Sequence, residues 1–526
     1  MAAETKTHLL IQHKDRDWDV EVDPEKLRRP ILDRAGIVDL NHAFELLPEK
    51  LKQKCGTYPN INGFEPWPMI HELRQEVRSI LHRHEYVYGG RENNEHWLYP
   101  VTQDGLIAQI ADTKLFQRLF GVHQLGPNRE YPLHNHHSRA QHSIHLSINA
   151  ARTLQALHDN NPDLLVQKAR ADLIATQLAE EDMSNQEILN LYTDILITTT
   201  MIHDLATPAG GDTIKYLLNL DEEKDLRWLL SQNPELLKAL QDRGFDERHV
   251  AFCIACVQGK SDSLIGQMIH PPEGDYMDWD RISYTLFDGL AIQLFTPDVP
   301  ESLLPEELGE VDSFNLYMGL QSAIEALDSG ATAVLGVHDK VLPGSLIDTS
   351  ENYVLDTQGR LICTRPDRLA WLSAYRSWMI ARHYAGHQML GVEWELQQRL
   401  RELIENGITN DILTMETLLT ITDRQLYDEL LNLGDTELNQ IIGRIRSTAG
   451  TTLFTGIVKS EKEKDGRCYA QFPLKIKPGF DSLVSDNGKV ITLGEWVKQN
   501  NRLLSSFALQ QSLDRFQGKW IVIYEV

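Results

Sequence analysis

The chain has 526 residues, a formal net charge of −25, and ordinary apolar and charged contents of 42% and 24%. This length exceeds what one hydrophobic core normally serves, so it predicts a globular protein with more than one structural unit. The acidic surplus argues against nonspecific coating of nucleic acid, but it permits a small anionic substrate bound by a local positive cluster.

Two further features bear on where the protein works. No apolar stretch approaches the roughly 18 residues that span a bilayer, and residues 1–6 contain no apolar secretory segment. The five cysteines are too few and too scattered for a disulfide framework. We therefore predict a cytoplasmic protein without membrane association.

The first predicted unit, residues 1–103, is a mixed N-terminal region without a catalytic motif. Its apolar pattern predicts a strand pair within residues 11–22 and an amphipathic helix over residues 69–84.

The second predicted unit, residues 104–300, has mostly helical apolar spacing, which is typical of a helical core domain. The predicted helices cover residues 106–119, 143–158, 186–205, 226–240, 249–257 and 279–290.

The remaining chain predicts a helical extension over residues 301–450 and a small α/β region over residues 451–526. The extension has predicted helices at 314–327, 369–406 and 415–446, and a β-hairpin that turns at Gln358 and Gly359. The predicted fold class is therefore mainly α, with a helical core, a helical extension and a small α/β C-terminal appendage. Strands are predicted in this last region at 452–458, 468–476, 490–493 and 520–524.

The pair His203-Asp204 ends an apolar helical run and carries the clearest chemical signal. An imidazole nitrogen and a carboxylate oxygen are ordinary ligands of a divalent cation. Burying both side chains would be costly without such a partner.

Three short segments, taken in order, resemble the HD superfamily of metal-dependent phosphohydrolases. They are Arg139-x-x-His142-Ser143, then His203-Asp204, then Asp278-x-Asp280-Arg281-x-x-Tyr284. The resemblance implies an HD-domain core that holds one divalent metal ion (Mn, Fe, Zn or Mg). It implies four metal ligands: His142, His203, Asp204 and Asp280. His145 is the alternative to His142, but the Arg-x-x-His-Ser register favours His142, and Asp278 is better explained as a helix N-cap.

Within that superfamily, residues 104–450 most resemble the deoxynucleoside triphosphate triphosphohydrolases. The resemblance implies a homo-oligomer that hydrolyses a deoxynucleoside triphosphate to deoxynucleoside and tripolyphosphate, with the helical extension contributing to the nucleotide site. Lys215 could add a further positive charge for phosphate. The predicted substrate-binding residues are Gln124, Leu125, Arg139, Lys215, Arg281, Tyr284, Asp288, Arg376 and Tyr384.

One departure from that family concerns proton transfer. Thr207 and Asp212 stand where the family has histidines. Asp212 could serve as the general acid/base, with Arg139 as its catalytic partner at the phosphate. Alternatively, the substrate is another phosphoester, or the protein is a nucleotide sensor that has lost hydrolysis. The remaining possibility is a helical scaffold that binds no metal and has no turnover. In that case Arg139, Arg281 and Arg376 would pair with acidic residues at the surface.

Overall fold

The structure is a computed structural model, and it describes the chain in several segments. The predicted helices at 69–84 and 314–327 lie outside the described residues, and so do Leu125 and Tyr384. The described segments are residues 7–13, 16–22, 29–37, 86–89, 96–99, 105–124, 138–220, 222–291, 352–380, 389–409, 411–447, 453–458, 467–501, 506, 509–510, 513–514 and 517–525.

The described residues form a mainly α fold with a small α/β part near the C-terminus, which confirms the predicted fold class. The helices are α1 Pro30–Ala35, α2 Leu106–Ala111, α3 Lys114–Arg118, α4 Arg139–Asn160, α5 Pro162–Ala175, α6 Asn185–Ile202, α7 Gly211–Leu218, α8 Glu222–Ser231, α9 Pro234–Gln241, α10 Glu247–Val257, α11 Leu264–Ile269, α12 Trp279–Ala291, α13 Pro366–Met379, α14 Met389–Glu405, α15 Met415–Leu418, α16 Asp423–Asn432, α17 Thr436–Ser447 and α18 Leu493–Gln499. The strands are β1 Thr7–His13, β2 Arg16–Val22, β3 Tyr86–Gly89, β4 His96–Tyr99, β5 Tyr353–Leu355, β6 Leu361–Cys363, β7 Leu453–Val458, β8 Arg467–Pro473, β9 Leu483–Asp486, β10 Lys489–Thr492 and β11 Trp520–Glu525.

The described residues divide into two compact units. The first contains those before residue 111 together with 147–198 and 352–361, and the second contains the others. Every candidate site residue that the structure describes belongs to the second unit. The predicted domain boundaries at 103, 300 and 450 stay predictions.

The first unit includes the strand pair that the N-terminal sequence predicts. β1 and β2 are antiparallel, in continuous register from Thr7 opposite Val22 to His13 opposite Arg16. The pair starts earlier than predicted, at Thr7 and not at Ile11. In the same unit, the predicted turn at Gln358 and Gly359 is present: the Gly359 N–H donates to the Asp356 carbonyl.

Two predicted helices of the core are each split in two. The Thr113 hydroxyl accepts from the Phe116 N–H, so it caps a new helix, α3, within the predicted 106–119. Pro234 has no backbone N–H to continue a helix, so α8 ends at Ser231 and α9 starts at Pro234. The prediction of single helices was wrong at both places, since capping chemistry overrides apolar spacing.

The second unit has a hydrophobic core built largely from α14, α16 and α17. Val392, Leu426 and Ile442 are fully buried there, and so are Ala209 and Ile214. These last two lie on either side of the start of α7. The chain that leaves the His203-Asp204 pair is therefore anchored in the core of this unit.

The C-terminal part of the second unit is α/β. β11 lies between β7 and β8 in an antiparallel sheet. β9 pairs with β10 and runs parallel to β6 through Val484 and Cys363. Sequence spacing missed β9, which is only four residues long and carries few apolar side chains. Among the described helices, none has both the length and the hydropathy that a membrane span requires.

Candidate metal centre

Three helical elements bring the four predicted metal ligands together. His142 lies in the first turn of α4, His203 and Asp204 directly follow α6, and Asp280 lies in the first turn of α12. His142 and Asp204 are buried, at 1% and 8% exposure. Such ionisable groups are stable in a core only when they are paired.

The donor atoms of these side chains converge. His142 Nε2 lies 2.9 Å from Asp280 Oδ1 and 3.2 Å from His203 Nε2. Asp204 Oδ2 lies 3.5 Å from His203 Nε2 and 4.0 Å from His142 Nε2. One ligand atom from each of His142, His203 and Asp204 lies within 4.8 Å of the other two. Asp280 Oδ1 is also only 3.6 Å from His203 Nε2. The group could hold a metal ion.

The hydrogen bonds of His203 fit a metal ligand. Its Nδ1–H donates to the Thr200 carbonyl at 2.6 Å, since a carbonyl can only accept. In the neutral ring, this tautomer leaves the Nε2 lone pair facing His142 and the two carboxylates. His142, His203 and Asp204 supply two imidazole nitrogens and a carboxylate, and the Asp280 carboxylate lies beside both histidines. Such nitrogen and oxygen donors are ligands that divalent cations bind. The residues therefore fit the metal that the sequence predicts.

The charges of the centre are strongly coupled. Burial lowers the pKa of His203, but the carboxylates of Asp204 and Asp280 outweigh burial and raise that pKa to about 9. Burial raises the pKa of Asp204, but Arg139 and His203 outweigh it and lower that pKa to about 2. The histidines lower the pKa of Asp280 well below its ordinary value. The carboxylates are therefore ionised at neutral pH.

Arg139 and Thr207 orient Asp204. Arg139 Nη1 lies 3.2 Å from each oxygen of the Asp204 carboxylate. The Thr207 hydroxyl donates to Asp204 Oδ1 at 3.3 Å, and Thr207 is fully buried. In the sequence, Thr207 stood out only because the family that the chain resembles has a histidine at that position. Its position three residues after Asp204 was the signal that could have indicated this bond.

Asp212 lies at the start of α7, beside the centre but open to solvent. Its side chain is 58% exposed, and its Oδ2 lies 3.8 Å from Arg139 Nη2. Lys215 follows one helical turn later and is half-buried. Asp212 and Asp204 thus share the same arginine, one on the solvent side and one in the core.

Tyr284, on the same helix as Asp280, forms a second group with Arg376 of α13. Arg376 Nε–H donates to the Tyr284 hydroxyl at 2.6 Å, and its guanidinium carbon lies 5.5 Å from the centre of the tyrosine ring. Arg376 also donates to the Lys477 carbonyl at 2.7 Å. Burial raises the pKa of Tyr284 to about 12, so its hydroxyl stays protonated.

Arg281 turns toward the residues that precede α12. Its guanidinium donates to the Tyr276 carbonyl and lies 3.5 Å from Asp275 and 3.4 Å from Asp278. The Asp278 carboxylate accepts from the Arg281 N–H at 2.8 Å, which confirms the predicted helix cap. Burial raises the pKa of Asp278 to about 7.

The other predicted substrate residues are only partly described. Gln124 follows His123, which forms a β-bridge with Ser138, directly before Arg139. The Gln124 Oε1 atom is buried without a hydrogen-bond partner among the described residues. Asp288 lies on α12, two turns beyond Asp280. His145, the alternative ligand, instead contacts the Ser283 hydroxyl at 3.0 Å, so the structure brings His142 and not His145 to His203.

Comparison with known proteins identifies the fold. No family model matches the chain, and no curated protein matches it in sequence. A solved structure of a hypothetical protein from Aquifex aeolicus is similar to it, with a TM-score of 0.52, 13% identity, and coverage of 84% of this chain and 96% of that one. A phosphohydrolase from Bacteroides thetaiotaomicron is similar with a TM-score of 0.50, 12% identity, and coverage of 80% and 96%. At these identities the likeness shows a shared fold.

Proposed function

We propose that this protein is a metal-dependent phosphohydrolase of the HD type. The observation that carries the proposal is the convergence of one ligand atom each from His142, His203 and Asp204 within 4.8 Å, with Asp280 Oδ1 2.9 Å from His142 Nε2 and 3.6 Å from His203 Nε2. The shared fold with a protein described as a phosphohydrolase supports the same reaction class.

The four side chains would hold one divalent cation through two imidazole nitrogens and two carboxylate oxygens. Such a cation, when bound, supplies the Lewis acidity that activates water and neutralises charge on a phosphoryl group. The chain's own residues supply orientation and proton transfer.

Arg139 is suited to two tasks at once. Its guanidinium holds the Asp204 carboxylate and lies 3.8 Å from Asp212 at the solvent-facing edge. Charge-assisted hydrogen bonds from arginine are well matched to phosphate oxygens. Arg139 therefore orients a metal ligand and presents positive charge where a phosphate would arrive.

Asp212 is our candidate for proton transfer. It accepts a proton from the attacking water as the water oxygen bonds to phosphorus. The phosphorus–oxygen ester bond then breaks, and Asp212 returns the proton to the leaving oxygen. Thr207 is unsuited to this task because its buried hydroxyl donates to Asp204.

The finer proposal is a deoxynucleoside triphosphate as substrate, released as deoxynucleoside and tripolyphosphate. It depends on the sequence resemblance over 104–450 and is supported by the Tyr284–Arg376 pair one helical turn beyond Asp280. The same resemblance suggests a homo-oligomer, which light scattering tests. The proposed substrate-binding residues are Gln124, Leu125, Arg139, Lys215, Arg281, Tyr284, Asp288, Arg376 and Tyr384.

Product analysis by mass spectrometry tests both levels. The protein is stripped of metal and then incubated with manganese, magnesium, iron or zinc and a mixture of deoxynucleoside triphosphates and other phosphoesters. Metal-dependent release of tripolyphosphate supports the finer proposal, and release of orthophosphate from another ester supports only the general one. Nucleotide-induced thermal stabilisation without any product would favour a sensor.

Elemental analysis tests the metal centre itself. Asp204→Asn is compared with Asp428→Asn, a control at an exposed carboxylate on α16 that pairs with Arg446. We expect the wild type and the control to carry metal and Asp204→Asn to carry none. Equal metal content in all three proteins would refute the site.

A further inference from the structure

A buried arginine holds the loop that carries the metal pair. We name residues 203–210, between α6 and α7, the metal-pair loop. Arg118 ends α3 and is only 6% exposed. Its Nη2 donates to the carbonyls of Leu205 and Thr207 at 2.8 and 2.9 Å. One planar guanidinium group therefore fixes two carbonyls of the loop.

A buried carboxylate holds the far end of the same loop. Asp423, the first residue of α16, accepts from the Gly210 N–H at 2.7 Å and from the His123 N–H at 2.9 Å. Gly210 has a φ of +81°, a conformation that side chains with a Cβ rarely adopt. Asp423 thus stabilises the bend at which the loop turns into α7.

Backbone contacts complete the attachment. The Ala209 N–H donates to the Leu418 carbonyl at 3.0 Å, so the neighbouring amides of Ala209 and Gly210 both bond to the segment 418–423. Burial lowers the pKa of Arg118 to about 10, with Asp423 opposing that change, so Arg118 stays charged at neutral pH. Arg118 and Asp423 therefore bond to the backbone of the same loop at different points.

We propose that Arg118 and Asp423 are positioning residues, which clamp the metal-pair loop so that Asp204 stays beside His203 and His142. Thr207 connects the clamp to the metal ligand, because its carbonyl accepts from Arg118 while its hydroxyl donates to Asp204. The inference rests on the proposed function, and it assigns α16 a role without contact to substrate. A small displacement of a ligand weakens a metal site considerably, as substitutions behind ligands show.

The test uses the full chain and compares Asp423→Asn with Asp428→Asn. Both substitutions remove one carboxylate charge from α16, but Asp428 is exposed and pairs with Arg446. In Asp423→Asn, the side-chain NH₂ group replaces one of the two accepting oxygens. It must therefore face the N–H of either His123 or Gly210, and that hydrogen bond is lost. Two readouts are taken on metal-stripped protein: the affinity for manganese by titration, and hydrogen exchange of a peptide that covers residues 205–212.

We expect Asp423→Asn to lose about tenfold in manganese affinity, as for partners behind metal ligands. We also expect faster exchange in the 205–212 peptide, with peptides from α6 unchanged and the Asp428→Asn control like the wild type. Arg118→Lys keeps the positive charge but replaces the planar guanidinium group with a single amine. It should show the same two changes. In the variant that combines Asp423→Asn with Arg118→Lys, the loss of manganese affinity should be smaller than the sum of the two single losses in free energy, because both substitutions act on one loop.

The outcomes separate this inference from the proposed function. A wild type that binds none of manganese, magnesium, iron and zinc would overturn the proposed function, and the exchange measurement would still decide whether the clamp holds the loop. Unchanged exchange in Asp423→Asn would overturn the clamp. Faster exchange with wild-type manganese affinity would also overturn it, since the loop would then be held for stability alone.

Discussion

The metal centre and the start of α7 lie next to each other and differ in construction. At the centre, His142 and Asp204 are almost completely buried, and each charge has a partner a few ångströms away. At the start of α7, the Asp212 side chain is 58% exposed, and Tyr216, one turn farther along the helix, is 69% exposed. Arg139 contacts the carboxylates of both regions. Under the proposed function, the buried side would hold the cation and the open side would meet the substrate.

The largest expected effect comes from breaking the buried side. Asp204→Asn removes the negative charge that lies beside Arg139 and the two histidines. We therefore expect bound metal and turnover to be lost together. Elemental analysis and product assay measure the two losses, and circular dichroism checks that helix content is kept. Retained turnover in a metal-free variant would mean that the buried side is not the cation site.

The next largest effect comes from the open side. Asp212→Asn should lower kcat by about a hundredfold or more, the range typical of a lost general acid/base. Its metal content should match the wild type, because, among the described residues, Asp212 reaches the centre through Arg139. Steady-state kinetics and elemental analysis check this, with Asp242→Asn as an exposed control. Wild-type kcat in Asp212→Asn would assign proton transfer elsewhere.

The pH dependence of metal binding tests whether His203 belongs to the buried side. The pKa of His203 is raised to about 9 in the metal-free protein, so His203 is protonated below that pH. A cation requires the neutral ring, so binding releases a proton and affinity should rise by up to about tenfold per pH unit toward pH 9. Manganese titrations at pH 6, 7 and 8 measure this slope. An affinity independent of pH would exclude His203 as the titrating ligand.

A smaller effect is expected behind the centre, at Thr207. Thr207→Val keeps the shape but removes the hydroxyl that donates to Asp204, so metal affinity should fall by about fivefold, the equivalent of one net hydrogen bond. The Thr207→Ser variant, which keeps a hydroxyl, should recover most of the affinity. The pH profile of kcat should not change in either variant. If the acidic or basic slope of the pH profile of kcat disappeared in Thr207→Val, proton transfer would be assigned to Thr207.

Two parts of the site were predictable because each involves residues that are close in sequence. His203 and Asp204 are adjacent, and Asp278 caps the helix that carries Asp280. Helix boundaries were less predictable, since Thr113 and Pro234 interrupt apolar patterns that continue across them. Apolar spacing reports which face of a segment is buried, whereas capping and missing N–H groups decide where the segment ends.

The long-range partners were beyond prediction from the sequence. Arg118 and Asp423 are 305 positions apart in number, yet both hold the metal-pair loop. Neither residue belongs to a motif, and a lone arginine or aspartate in a chain with 76 acidic residues carries no signal. Lys477 is a similar case, because only its backbone carbonyl is used by Arg376.

The sequence by itself determined the mainly α fold class, because apolar periodicity is a local property. Its three short motifs indicated the candidate metal ligands through their resemblance to the HD superfamily. The tertiary structure alone decided which charges are buried, which carboxylates share Arg139, and how the metal-pair loop is held. The physical reason is that desolvation and hydrogen bonding act over a few ångströms in space, whatever the separation along the chain. His142 and Asp280 lie in different helices, and only their approach to 2.9 Å makes them part of one centre.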